Sequence, residues 1–135
     1  MELIEIKQAK KQLVVEETLL ESSSIRMSCI NGLTMQDVSA TNVKIFDANL
    51  SDLEIFGAQL GGAYIHSVGM PPEGHPNYEA GAKQRPLKFD DCDLTGSTIS
   101  NCNLSDVNIL DCNLTGMTLN GILVDDLFKA YNGGE

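Results

Sequence analysis

Apolar side chains recur every five residues along most of this chain. The series runs Leu20, Ile25, Ile30, Met35, Ala40, Ile45, Leu50, Ile55, Leu60, Ile65, then breaks and resumes one residue out of phase as Phe89, Leu94, Ile99, Leu104, Ile109, Leu114, Leu119, Val124. We term each of these a centre. Two residues before the centres stands a second, small or apolar series that includes Leu33, Val38, Val43, Ala48, Leu53, Cys92, Cys102, Val107, Cys112 and Ile122. Two residues after them stands a third: Gly32, Asp37, Asn42, Asp47, Asp52, Gly57, Gly62, then Asp91, Gly96, Asn101, Asp106, Asp111, Gly116, Gly121, Asp126. Every member of this third series is Gly, Asp or Asn, the residues that tolerate left-handed φ and close tight turns. The two earlier corner positions, Ser22 and Met27, depart from that rule.

No ordinary element uses a period of five. On an α-helix each step would rotate the apolar residue by about 140°, leaving no apolar face. On a flat strand five is odd, so successive centres would fall on opposite faces. The pattern works when a short extended piece points two side chains inward and a turn-former then makes a corner. Repetition winds the chain into a solenoid with a dry interior and a polar skin.

Segments such as Cys92-Asp93-Leu94-Thr95-Gly96, Cys102-Asn103-Leu104-Ser105-Asp106 and Cys112-Asn113-Leu114-Thr115-Gly116 resemble the A-(D/N)-L-x-x motif of the pentapeptide-repeat family. The resemblance implies an all-β fold, a right-handed, four-sided parallel β-helix with four repeats per coil. Eighteen repeats lie between Thr18 and Asp126, which makes about four and a half coils. The expected organisation is a single domain: an N-terminal cap at 1–17, coils at 18–65, an inserted loop at 66–86, coils at 87–126 and a C-terminal cap at 127–135. Stacked coils leave raw sheet edges that need covering. Glu2 to Lys7 reads as a capping strand followed by a linker. At the other end Asp125 and Asp126 read as the cap of a short helix that turns Leu127, Phe128 and Tyr131 onto the last coil. An end-to-end homodimer is the competing way to bury an end.

Composition narrows the function. The net charge is −10, which argues against direct binding to nucleic acid or to an anionic membrane. Four cysteines without a visible secretory signal suggest reduced thiols in a cytoplasm, and no apolar run approaches a membrane span. Cys92, Cys102 and Cys112 take inward positions as small hydrophobes, whereas Cys29 falls outward. Neither they nor His66 and His75 show metal-ligand spacing, and no nucleophile–base motif appears. No cofactor and no enzymatic activity are expected.

Two features suit a partner. Asp52, Asp91 and Asp111 fall on one edge if the chain resumes on the next wall after the loop. Glu54, Asp90 and Asp93 flank that edge, giving an acidic ridge with no intervening base. The loop holds all four prolines and both histidines of the chain. It is nearly neutral and offers His75, Tyr78 and Arg85. Together these features suggest a non-enzymatic scaffold that binds an unidentified protein partner, as a monomer or an end-to-end homodimer. The resemblance adds an alternative, because some pentapeptide-repeat proteins mimic duplex DNA in shape and charge and bind DNA gyrase.

Overall fold

The structure, a computed structural model, describes residues 3–133. The chain forms two compact units, Met1–Gly61 and Gly62–Glu135.

In the first unit the chain turns a left-handed corner every five residues. Glu17, Ser22, Met27, Gly32, Asp37, Asn42, Asp47, Asp52 and Gly57 all hold φ between 47° and 76°. Ser22 and Met27 therefore make corners despite their residue types, and the series starts one step earlier than expected, at Glu17. A left-handed φ is uncommon for a long L-side chain, yet Glu17 and Met27, both exposed, adopt it.

Corners come in two kinds. At Gly32 and Asp52 the peptide N–H that follows donates back across the corner, Leu33 to Ile30 O at 3.1 Å and Leu53 to Leu50 O at 3.0 Å. A bond from residue i+3 to residue i with positive φ at i+2 is the pattern of a type II turn. At Asp37, Asp47 and Gly57, between such corners, the chain makes an open bend.

The same unit brings together segments that are distant in sequence. Ile6, Lys7 and Gln8 line one cavity with Arg26, Met27 and Ser28. Gln12 to Glu16 line another with Gly32, Leu33, Thr34 and Gln36. Both pairings join segments about four five-residue steps apart. Glu2 lies outside the described residues, and Leu3 to Lys7 form no strand; Gln8 instead makes a left-handed corner at φ 48°.

The second unit continues the corner series through Gly62 and Ser67 and, after the insertion, from Asp91 through Gly116. Hydrogen-bonded corners at Gly96, Asp106 and Gly116 alternate with open ones at Asp91, Asn101 and Asp111. The insertion is itself a run of tight turns. His75 N–H donates to Pro72 O at 3.1 Å, Tyr78 N–H to His75 O at 2.9 Å and Ala82 N–H to Glu79 O at 3.2 Å. Gly74 and Gly81 supply positive φ at the third position of the first and last of these.

The last repeat takes a different local form. Asn120 and Gly121, both left-handed at φ 49° and 82°, fold the chain into a hairpin that pairs β1 (Thr118–Leu119) with β2 (Ile122–Leu123) in antiparallel register. Asn-Gly is the strongest short hairpin signal, and it turns the last repeat back on itself. Helix α1 (Val124–Asn132) follows directly, beginning at Val124 and not at Leu127. Asp125 and Asp126 lie in its first turn, where they favour the helix dipole, but no side chain caps its N-terminus. Val124 is the buried hydrophobic residue among those described; Leu127, Phe128 and Tyr131 are 37%, 54% and 86% exposed, so α1 is not laid flat on the last repeat. Most other centres stand half exposed or more, from Leu50 at 44% to Ile65 at 70%.

Candidate interaction site

A local motif builds the carboxylate and amide positions of the repeats. At four positions where Asp or Asn precedes a centre, its side-chain oxygen accepts the N–H two residues on: Asn49 from Ser51 at 3.1 Å, Asp93 from Thr95, Asn103 from Ser105 and Asn113 from Thr115, each at 3.0 Å. This is an Asx turn, and each instance leads into a corner whose third residue is left-handed. Ser51 and Ser105 add a hydroxyl bond to the same oxygens, at 2.7 and 2.6 Å. The D/N of the repeat motif is thus a corner brace.

That brace sets the chemistry of Asp93. Its hydrogen bonds with the Thr95 side chain and backbone hold the carboxyl below the usual carboxylate range. The folded-state value lies below the unfolded one, so the contribution to stability is complete at neutral pH and is lost as the pH falls through the depressed value. Asp93→Asn keeps the acceptor and removes the titration. Its melting temperature should match that of the parent near neutral pH and fall less in acid, below the ordinary carboxylate range. Parallel melting profiles down to the lowest pH would contradict the brace.

The expected ridge divides along the backbone. Asp52 occupies a hydrogen-bonded corner, whereas Asp91 and Asp111, at φ 51° and 52°, occupy open bends. The likeness of residue type that suggested one ridge is therefore not a likeness of conformation. Asp90 also has a base beside it: Lys88 Nζ lies 3.1 Å from its Oδ2, both side chains being exposed. The expectation of an edge without intervening bases fails there, because Lys88 and Asp90 flank one centre, Phe89, and their side chains meet. Glu54 is exposed in the first unit.

The loop residues are held by the turns. Asn77 N–H donates to His75 Nδ1 at 3.1 Å, so the ring anchors the second turn through its acceptor nitrogen. Tyr78, which closes that turn, remains 44% exposed, and Arg85 is exposed near the end of the insertion. Beside the loop, Tyr64 and His66 stack with ring centroids 4.2 Å apart and planes 20° from parallel. The sequence carried a signal for this pair, since both flank the centre Ile65 and extended neighbours two apart share a side.

The thiols differ from expectation. Cys92, Cys102 and Cys112 are as exposed as Cys29. Each of the three donates to the carbonyl two residues back, Asp90, Ser100 and Leu110, at 3.2, 3.2 and 3.1 Å. Thr18 and Ser28 make the same bond from the same position. Small donors are used there because they satisfy a backbone carbonyl next to a corner. Among the described residues no cluster of His, Cys, Asp or Glu is placed to hold a metal ion, and no helix is long and apolar enough to cross a membrane.

The family model for pentapeptide repeats matches residues 88–123 in eight copies. No curated protein and no solved structure matches the chain.

Proposed function

From residues 88–123, which are pentapeptide repeats, we propose that the chain is a non-enzymatic interaction scaffold: a right-handed, four-sided parallel β-helix that offers acidic corners and one inserted loop to a protein partner in the cytoplasm. The fold part of this reading is supported by corners that continue from Glu17 to Ser67, well outside the matched segment. Ladder contact between coils, about 4.8 Å apart, would cover the half-exposed centres. Each centre so buried contributes about 1.5–3 kcal/mol before the entropy of ordering is set against it.

One observation carries the functional part. The insertion interrupts a regular backbone between the corners Ser67 and Asp91, yet it is a succession of hydrogen-bonded turns with Tyr78 left accessible. Ordered, exposed, proline-bearing loops lose little entropy on docking, which suits recognition. Replacement of residues 68–84 by a short Gly-Ser link should leave the melting temperature close to that of the parent and sharply reduce capture of the partner from lysate. A variant that melts far lower and still captures it would make the loop a structural brace.

A second reading, a DNA mimic that modulates DNA gyrase, is favoured by the net charge of −10. Asn already holds left-handed corners at Asn42 and Asn101, so Asp91→Asn and Asp111→Asn remove charge and keep the backbone. Inhibition of gyrase supercoiling that weakens in this pair supports mimicry; no inhibition at micromolar protein excludes it.

A further inference from the structure

The cavity of about 440 Å³ in the first unit is lined by Ile6, Lys7, Gln8, Arg26, Met27 and Ser28. It gathers two cations in a chain whose net charge is −10. Lys7 Nζ lies 2.6 Å from Glu5 Oε1, whereas the Arg26 guanidinium has no partner among the described residues. Ser28 Oγ donates to Arg26 O at 2.8 Å and so fixes the backbone between them.

Gln8 and Met27, which both line it, make left-handed corners at φ 48° and 47°. Arg26 and Ser28 flank the Met27 corner, and both line the cavity together with Lys7.

We propose that this cavity binds a phosphate group, as the free dianion or as the monoester of a small molecule. Arg26 supplies a planar fork matched to phosphate oxygens, Lys7 a point charge and Gln8 an amide donor. Glu5 is the resident competitor, since it occupies Lys7 with a carboxylate that an incoming dianion must displace. Lys7 and Arg26 belong to segments about one coil apart, so the bound anion clasps the N-terminal segment to the coil. The inference goes beyond the scaffold reading and does not rest on it.

The test is calorimetric titration of the full chain with inorganic phosphate and with AMP, at constant ionic strength set by sodium chloride. Arg26→Gln should weaken binding by about tenfold. Glu5→Gln should tighten it, because the competitor is removed. Lys44→Gln, which deletes one positive charge elsewhere in the unit, should leave it unchanged. Tighter binding of AMP than of phosphate identifies a monoester as the ligand; equal binding identifies the free dianion. Phosphate should also slow tryptic cleavage after Lys10 and Lys11 in the parent and not in Arg26→Gln. Heat effects no larger than those of chloride alone, or equal losses in Arg26→Gln and Lys44→Gln, would show only general screening and overturn the site.

Discussion

Leu104→Asp is expected to lower stability by about 3–5 kcal/mol, enough to unfold much of a marginally stable domain. Asn103→Asp, one residue earlier and of equal charge, should change stability by no more than about 0.5 kcal/mol. The contrast follows from position. Leu104 is a centre, and in a closed coil its side chain faces a stack of apolar neighbours with no water to solvate a carboxylate. Asn103 precedes it on the outer side, where its oxygen accepts from Ser105 N at 3.0 Å and Ser105 Oγ at 2.6 Å, and a carboxylate accepts equally well. Asp93 already does so at the equivalent place. At the 49% exposure described for Leu104, a charge would cost little. A large loss in Leu104→Asp therefore reports closure of the coils. Equal urea midpoints for the two variants would place Leu104 in water and contradict the stack.

The second large effect is expected at a corner. Asp106 holds φ at 62° in a turn closed by Val107 N–H to Leu104 O at 3.2 Å. Asp106→Val puts a β-branched side chain into the left-handed region and should cost about 1–3 kcal/mol. Asp106→Asn tolerates the same dihedrals and should be nearly neutral, as the existing corner at Asn101 indicates. Urea titration of both variants measures the difference. A valine variant as stable as the asparagine one would mean that the corner conformation is not enforced.

The corners were the most legible part of the sequence, because Gly, Asp and Asn at every fifth position have a steric cause that local reasoning can read. The earliest corners were harder. Glu17, Ser22 and Met27 give no local signal, and only the phase of the series points to them. The hairpin near the end of the series was not legible for the opposite reason: Gly121 fits the corner series, but Asn120 before it makes a type I′ hairpin available. The bonds that brace corners through Asn49, Asp93, Asn103 and Asn113 were visible as a spacing and were read only as outward polarity. Residue type did not reveal backbone class at the carboxylates, which Asp52 and Asp91 do not share. Lys88 beside Asp90 was in plain sight two residues away. The N-terminal cavity had no sequence signature, since it depends on two segments about twenty residues apart lying side by side.

The most direct test of the solenoid uses nitroxide labels on cysteines introduced at outward positions, after replacement of the four native cysteines by alanine. Residues 88 and 108 are four repeats apart and should lie one coil above the other, with backbones about 4.8 Å apart. Residues 98 and 108 are two repeats apart and should sit on opposite walls. The account predicts strong dipolar broadening for the 88/108 pair and little for 98/108, although the first pair is twice as far apart along the chain. Stronger coupling in 98/108 than in 88/108 would follow from a chain whose distances grow with sequence separation, and would contradict the solenoid.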